Sequence, residues 1–245
     1  MLTARRYPFS TSSSPRAFRS LLSVLVIWVV FMSGHSANIP ALRQLLAARF
    51  PTAVRAPASV FPVGWPALDE ALGGLPKGAL TEVICAAPSC GGQLLLGQLL
   101  RQTRAQNVRV ALIDAHDAFD PCSWPPDWLA HLVWVRARTV GDAMQVADLF
   151  ARDANLGLVV LDPRHATERE LQRIPATQWY RLQRAVEQSN APFVVKTPLA
   201  RVPSAQLRFV LEGSHSLRTD SAPRLDLMGQ LPFVPQRQRR QANVG

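Results

Sequence analysis

The residues best suited to chemistry lie in a short glycine-containing loop between an apolar strand and an apolar helix. A strand, a glycine loop and a helix, in this order, form a phosphate-binding loop, in which backbone N–H groups and the helix N-terminus cradle an anion. The active motif also has a Lys and then a Ser or Thr directly after its last Gly. Here those two places hold Gly92 and Gln93, so the sequence predicts the shape of a nucleotide site without its charge. The degenerate loop comprises Pro88, Ser89, Cys90, Gly91, Gly92 and Gln93.

Two apolar elements position this loop. A Gly-Leu-Pro-Lys-Gly turn, Gly74–Gly78, leads into an apolar strand that we predict over Ala79–Ala86. After the loop, leucines at positions 94, 95, 96, 99 and 100 predict an apolar helix over Gln93–Gln106.

Polar residues stand at or just beyond the ends of three further predicted strands, at 108–114, 156–162 and 191–197. Such nearly continuous apolar runs are typical of strands buried on both faces of a parallel sheet. His116 follows the first strand, Asp162 ends the second, and Lys196 lies near the end of the third. A histidine can act as a general base, but its ordinary pKa of about 6.5 and the missing loop lysine favour a structural His116. Lys196 either binds an anion from the strand end or is solvated.

The beginning of this region resembles the entry to the RecA recombinase core. Val63-Gly64, the sequence ALDEALGG at 67–74 and the LPKG turn at 75–78 carry the resemblance. The LTE sequence at 80–82 and a loop without its lysine are similar to the ImuA-like branch of the RecA superfamily, translesion-synthesis accessory proteins with a degenerate phosphate loop. The segment Ile113–Pro121 resembles the RecA sequence Ile-Asp-Ala-Glu-His-Ala-Leu-Asp-Pro. The resemblance covers roughly residues 60 to 215.

This resemblance implies that three functional positions of the family are changed. The loop lysine and the hydroxyl after it are missing, and His116 stands in place of the Glu that activates the attacking water. Lys196 and Thr197 stand near the Gln that senses the γ-phosphate, whereas Asp162 matches the Walker B aspartate that holds Mg²⁺ through water. Phosphoryl transfer depends on charge stabilisation and positioning. We therefore expect a pseudo-ATPase with no catalytic residue, no metal and no cofactor, with ATP binding as the alternative.

Strands and helices alternate from 79 to 212, which predicts an α/β fold with a mainly parallel central sheet flanked by helices. The resemblance makes this a RecA-like core with a short N-terminal helix and a basic C-terminal tail. Alternating residues at Gln206–Leu211 and Arg224–Leu227 predict late antiparallel strands at the sheet edge. The predicted regions are a signal-like or misassigned segment at 1–36, a helix and linker at 37–59, the RecA-like domain at 60–228 and a basic disordered tail at 229–245.

The amino-acid composition limits which cellular compartment and which classes of partner are plausible for this chain. The chain has 245 residues, a formal net charge of +10 and 48% hydrophobic residues, enough apolar content for a sizeable core. Nearly all of the positive charge is arginine, which indicates either an acidic partner such as nucleic acid or the codon bias of a GC-rich genome. Three cysteines without metal-type spacing, with Cys85 in a predicted buried strand, favour a reduced cytoplasmic protein.

The first 31 residues are similar to a signal peptide. Arginines precede the apolar run Leu21–Met32, and small residues follow it. Twelve apolar residues fall short of the roughly 20 that span a membrane. Because a RecA-like domain functions in the cytoplasm, we expect that translation starts at Met32 and that residues 1–31 come from a start codon assigned too far upstream. A membrane anchor is the alternative.

Three segments are candidates for contacts with partners or DNA. Ile39–Phe50 predicts an amphipathic helix, which in RecA relatives contacts a neighbouring subunit; packing on its own core is the alternative. Residues 163–176 read as a charged loop in the region where RecA relatives carry DNA-contacting loops. A solvated helix face is the alternative for that segment. The sequence QRQRRQ at 236–241 is a basic cluster, for which solvated disorder is the alternative. The candidate residues are Leu42, Leu45, Leu46, Phe50, Arg164, Arg169, Arg173, Arg237, Arg239 and Arg240.

The resemblance implies a non-catalytic adaptor in SOS-type DNA repair and mutagenic translesion synthesis. Such an adaptor would bridge an inactive Y-family-polymerase-like protein and an error-prone replicative-type polymerase, with RecA as a further partner. Two alternatives stay open. One is a divergent RecA-like ATPase that binds nucleotide at the degenerate loop. The other is a sequence-nonspecific DNA-binding protein, whose affinity would fall steeply with salt.

Overall fold

The computed structural model describes residues 59–213 and 224–239. The predictions for the signal-like segment, the Leu42–Phe50 helix, the linker and Arg240 lie outside these residues. Among the described residues, no helix combines the length and the apolar character needed to cross a membrane.

A seven-stranded sheet forms the centre of the described part, and its order is β5-β4-β6-β7-β3-β8-β9. All neighbouring strands pair in parallel except β8 and β9, which pair antiparallel. The prediction of an α/β fold with a mainly parallel sheet flanked by helices is confirmed. The strands of this sheet are β3 (Ala79–Ile84), β4 (Arg109–Asp114), β5 (Leu132–Arg136), β6 (Leu156–Asp162), β7 (Pro192–Thr197), β8 (Leu207–Leu211) and β9 (Phe233–Gln238).

Helices cover both faces of the sheet because alternate residues of each buried strand point to opposite sides. On one face, Leu112 and Val160 pack in a cluster with Leu95 and Leu99 of one helix. On the other face, Ile113 and Leu161 belong to a separate cluster with residues of two helices. The helices are α1 (Pro66–Leu72), α2 (Gly92–Ala105), α3 (Pro126–Leu129), α4 (Val140–Phe150), α5 (Glu168–Gln172), α6 (Ala176–Ser189) and α7 (Arg224–Gly229).

A small antiparallel ribbon precedes the sheet and explains the entry motif. It pairs β1 (Val60–Phe61) with β2 (Leu75–Pro76), and α1 lies between them in sequence. The Asp69 carboxylate accepts hydrogen bonds from the backbone N–H groups of Val63 and Gly64, at 2.9 and 2.8 Å. Gly74 has a φ of +97°, and a Cβ on it would lie 2.7 Å from the Phe61 carbonyl oxygen, so only glycine fits this close approach.

The C-terminal part of the fold differs from the sequence-based prediction. Strand β8 is not an antiparallel edge strand, because it pairs in parallel with β3 and lies inside the sheet. Arg224–Leu227, predicted as a strand, lies in helix α7. The predicted disordered tail is wrong for Phe233–Gln238, which form the antiparallel edge strand β9. A strand with polar residues and an internal proline is tolerated at an edge, where one side needs no partner.

Two helices begin at threonine caps. Thr139 is the N-cap of α4, because its Oγ1 accepts from the backbone N–H of Asp142. The segment predicted as a charged loop contains the short helix α5. Thr167 and Glu170 form a capping box at its start, in which each side chain accepts from the other residue's backbone N–H.

Candidate functional site

The degenerate phosphate loop connects β3 to α2 and keeps a turned backbone. Ser89 and Gly91 have positive φ values of 59° and 98°, and Gly91 is the N-cap of α2. Cys85, directly after β3, donates its backbone N–H to the Thr197 carbonyl oxygen at 2.7 Å. The loop therefore stands beside the C-terminal end of β7, which is where the sequence places Lys196.

A cysteine sulfur lies within reach of the loop's backbone N–H groups. Hydrogen bonding to Cys85 lowers the pKa of Cys90 to about 6, helped by the N–H groups of Gly92 and Ala87 and by the charge of Lys196, although burial alone would raise it. The pKa of Cys85 is raised by its hydrogen bond to Cys90 and by burial. The loop thus supplies its anion-binding donors to a side chain of its own.

Lys196 and Asp162 form a buried ion pair at the ends of two adjacent strands. Lys196 Nζ lies 2.6 Å from Asp162 Oδ2. Burial alone would raise the pKa of Asp162, but the charges of Lys196 and Arg164, with their hydrogen bonds, hold it below its usual range. The sequence left two alternatives for Lys196, a solvated side chain or one that binds an incoming anion. The buried pairing with Asp162 agrees with neither of them.

The Arg164 side chain also points towards Asp162. Its side chain is 11% exposed, and its Nε lies 3.6 Å from Asp162 Oδ1. The nearest guanidinium nitrogen, Nη1, lies 3.7 Å from where a Cβ on Gly92 would be. When the Gln93 amide is oriented with its oxygen towards Arg164, that oxygen accepts from Nη1 at 3.1 Å. Arg164 was a candidate for contact with a partner or DNA, and in the structure its side chain points towards the loop.

His116 lies apart from these contacts. Its Nε2 is 3.9 Å from Glu170 Oε1, and its buried Nδ1 has no hydrogen-bond partner within the described part of the chain. The turn that holds His116 is built by Asp114. Its carboxylate accepts from the backbone N–H groups of Ala118 at 3.0 Å and Phe119 at 2.9 Å. These contacts give His116 a place on the turn but no arrangement for activating water.

The remaining predicted contact residues do not form one cluster with the loop. Arg169 and Arg173 are exposed on and after α5. Arg237 is half-buried and donates from Nη1 to the Pro203 carbonyl oxygen at 3.0 Å. Arg239 is exposed, and its backbone N–H donates to the Gln206 carbonyl oxygen.

Sequence reasoning missed the polar role of Glu82, which was noted only as part of the LTE sequence. This fully buried carboxylate in β3 accepts from Arg208 Nε at 2.5 Å and from Thr197 Oγ1 at 3.0 Å. It also accepts from the backbone N–H groups of Arg201 at 2.6 Å and Val202 at 3.0 Å. A lone acid within an apolar strand was the available signal, because a buried carboxylate requires partners.

The site does not fit a Mg²⁺–nucleotide complex. The carboxylate that would hold Mg²⁺ faces Lys196 and Arg164, and the loop donors of Gly92 and Ala87 face Cys90. The Asp162 carboxylate is therefore already paired with cations of the chain itself.

Comparisons with known proteins place this fold near RecA. RecA of Clavibacter michiganensis subsp. michiganensis is 37% identical over 113 residues, which are 44% of this chain and 31% of that protein. RecA of Leifsonia xyli subsp. xyli is 34% identical over 117 residues, with 44% and 31% covered. RecA of a Nocardioides species is 34% identical over 118 residues, with 44% and 32% covered.

The chain thus spans about a third of the length of the curated relatives it matches. No family model matches it. Over the matched residues, the chain is similar to RecA.

Proposed function

We propose that this protein is a non-catalytic RecA-like adaptor in SOS-type DNA repair and mutagenic translesion synthesis. The observation that carries the proposal is the buried Lys196–Asp162 pair, 2.6 Å between Nζ and Oδ2. This pair neutralises the aspartate on which Mg²⁺-dependent phosphoryl transfer relies. A fold that keeps the phosphate loop but pairs the loop's backbone N–H groups within the protein can serve as a scaffold without hydrolysing ATP.

The adaptor role rests on the similarity of the entry motif to the ImuA-like branch and on the RecA relatives. Its partners are a Y-family-polymerase-like protein and an error-prone replicative-type polymerase, with RecA as a third. The proposed contact surfaces are the segment Leu42–Phe50, for which the sequence predicts a helix, and the basic residues around Arg237 and Arg239. The protein acts in the cytoplasm, where these partners work.

Nucleotide binding by the full chain tests the proposal. ATP and ADP are titrated by calorimetry with Mg²⁺, and phosphate release is followed in parallel. We expect neither heat at millimolar nucleotide nor turnover. Saturable binding with turnover, lost in Asp162→Ala, would show a divergent ATPase and overturn the proposal. Co-purification with the two polymerases, unchanged by nucleotide, tests the adaptor role separately.

A second candidate function is sequence-nonspecific DNA binding, favoured by the exposed Arg169 and Arg173 after the C-terminal end of β6. Phosphate contacts by arginine make affinity fall with salt. If DNA binding is the function, Arg169→Gln with Arg173→Gln weakens binding and flattens its salt dependence. The matched control is Arg184→Gln, which removes an exposed arginine of α6 and leaves both unchanged. If the protein is an adaptor, we expect its DNA binding to be weak and to be reduced equally by substitution of any of the three arginines.

A further inference from the structure

The β8–β9 pair has one face in the core and one face partly open to solvent. On the core face, Phe209 and Phe233 pack in the cluster that also contains the leucines of α2. On the other face, Val210 and Val234 lie opposite each other and belong to neither of the two large core clusters. Val234 is 42% exposed. We call this open face the β8–β9 shelf, and its residues are Arg208, Val210, Val234, Arg237 and Arg239.

Positive charge accumulates at one end of the shelf. Arg208 and Arg237 lie directly opposite each other in the β8–β9 register, and Arg239 follows two residues later on the same face. The buried Glu82 carboxylate accepts from Arg208 Nε at 2.5 Å and balances one charge. Arg237 donates from Nη1 to the Pro203 carbonyl oxygen, and within residues 59–213 and 224–239 neither Arg237 nor Arg239 forms an ion pair. Two positive charges therefore lack a carboxylate from this part of the chain.

An exposed aromatic side chain lies beside the arginine end of the shelf. The residues before β8 connect β9 to helix α6, because Pro203 accepts from Arg237 and Ser204 Oγ donates to the Trp179 carbonyl oxygen at 3.0 Å. Trp179 is buried, whereas its neighbour Tyr180 is 50% exposed. The Tyr180 phenol and the Arg237 guanidinium interact electrostatically. Tyr and Arg are enriched among the residues that contribute most to binding at protein interfaces.

The open edge of β9 disfavours a partner that adds a further strand to the sheet. Pro235 has no N–H group to donate, and Gln236 stands outside the register between Pro235 and Arg237. Prolines and bulges of this kind protect edge strands from pairing. A partner therefore contacts the side chains of the shelf rather than the edge of the sheet. From Val234 to Arg239 the shelf is about 16 Å long, which is the length of about three turns of helix.

The segments of this chain outside the described residues add only one negative charge. Residues 1–58 and 240–245 contain no acidic residue, and residues 214–223 contain only Asp220. A second copy of the chain carries a net charge of +10, which opposes association through a basic face. The complementary partner is therefore another molecule with acidic groups. The valines of the shelf favour a protein over DNA, because interfaces with DNA are more polar and more positively charged than interfaces between proteins.

We propose that the β8–β9 shelf binds an acidic amphipathic helix of a partner protein. Carboxylates of that helix pair with Arg237 and Arg239, and its apolar side chains cover the two valines and Tyr180. Glu212 extends the same face of β8, about 13 Å from Arg208 along the strand, so acidic groups are favoured only at the arginine end. The proposal deepens the adaptor function and rests on it for the identity of the partner, which is one of the two polymerases.

Fluorescence anisotropy with the full chain and a defined probe tests the proposal. The probe is a labelled helical peptide of about four turns, with glutamates on one face and leucines on the opposite face. The control peptide has glutamine in place of each glutamate. At about 0.15 M salt, we expect the acidic peptide to bind saturably and at least about tenfold more tightly than the control peptide.

Variants of the shelf locate the binding. Arg237→Glu with Arg239→Glu should weaken binding of the acidic peptide at least about tenfold, because like charges then face each other. The matched control is Arg109→Glu with Arg138→Glu, which makes the same charge change at exposed positions on the opposite side of the sheet and should leave binding unchanged. Val234→Ser alters only an exposed side chain and should weaken binding through lost apolar contact. Thermal unfolding of each variant checks that it is folded.

Photo-crosslinking of the wild type with a benzophenone-labelled acidic peptide gives a readout that needs no variant. We expect crosslinks within residues 203–210 and 234–239. Equal binding of the acidic and control peptides, or crosslinks confined to other residues, would overturn the proposal. Tighter binding of oligo(dT) than of the acidic peptide, lost in the same double arginine variant, would overturn it in favour of DNA.

Co-purification with the two polymerases separates this proposal from the adaptor function. If Arg237→Glu with Arg239→Glu leaves co-purification of both polymerases unchanged, the shelf proposal fails and the adaptor function stands. If the acidic peptide binds at the shelf but neither polymerase co-purifies with the wild type, the adaptor function fails and the shelf remains a binding site for acidic helices.

Discussion

Lys196 Nζ lies 2.6 Å from Asp162 Oδ2, with 1% and 5% of the two side chains exposed. The pair joins the C-terminal ends of β7 and β6, which are adjacent in the sheet. In the resemblance to RecA, the two positions belong to different parts of a nucleotide site. Here they form one ion pair, in which the retained aspartate is paired with the lysine that stands near the changed position.

Removing the lysine leaves the Asp162 carboxylate buried with only the more distant Arg164. We expect Lys196→Met to lower the free energy of unfolding by about 3–5 kcal/mol, the usual cost of an uncompensated buried charge. Urea denaturation at neutral pH measures the loss. Lys77→Met, at the only other lysine of the chain, is the matched control, and its half-buried position predicts a change within about 0.5 kcal/mol.

The double variant Asp162→Asn with Lys196→Met measures the interaction energy between the two side chains. Because removing both charges leaves no unpaired ion, we expect it to cost less than the sum of the single changes. Additive losses would contradict a direct interaction between the two side chains.

The same carboxylate predicts how stability changes with pH. Its pKa is lower in the folded protein than in the unfolded chain, where an aspartate titrates near about 3.9. The stabilisation is therefore fully present above about pH 5 and is lost as pH falls towards the folded pKa. In unfolding experiments from neutral to acid pH, wild type should lose more stability than Asp162→Asn. Parallel curves would show that Asp162 titrates normally.

The sequence predicted those features that depend on local pattern. Apolar runs identified β3, β4, β6 and β7, and leucine spacing identified α2, within one or two residues of their observed ends. The position of Asp162 at a strand end was also correct. These features follow from burial and periodicity, which a short segment carries by itself.

The ion pair was not predictable in this way, because it depends on which strands become neighbours. Lys196 and Asp162 are 34 residues apart, and only the β6–β7 pairing brings them together. Strand β9 was missed for a similar reason. Its polar residues and Pro235 give little local signal, and its position comes from pairing with β8. The capping roles of Thr139 and Thr167 were not predicted, although each threonine lies three residues before an acidic residue, a spacing typical of helix starts.

Glu82 offers a test of the fold's polar centre. Glu82→Gln replaces one acceptor oxygen with an NH2 group, which donates. Either Arg208 or the N–H groups of Arg201 and Val202 then lose their hydrogen-bond acceptor. We expect a loss of about 3–5 kcal/mol and faster hydrogen exchange of the Arg201 and Val202 amides. Chemical denaturation and exchange measured by NMR report the two effects. Glu70→Gln, at an exposed position of α1, is the control and should change neither. Unchanged stability in Glu82→Gln would contradict the role given to its carboxylate.

Substitution of glycine by alanine should have opposite effects on stability at Gly97 and Gly141, because only Gly97 packs against Trp124. A Cβ on Gly97 would lie 2.0 Å from Trp124 Cζ3, and that ring is buried and stacked on Trp128. Overpacking costs about 1–3 kcal/mol, which exceeds the gain of about 0.5–1 kcal/mol that alanine brings to a helix. Gly97→Ala should therefore lower the thermal midpoint and shift tryptophan fluorescence. Gly141→Ala, where the nearest atom is Thr139 Oγ1 at 3.6 Å, should raise the midpoint and leave fluorescence unchanged. Equal effects at the two glycines would mean that Trp124 does not pack on α2 as the structure shows.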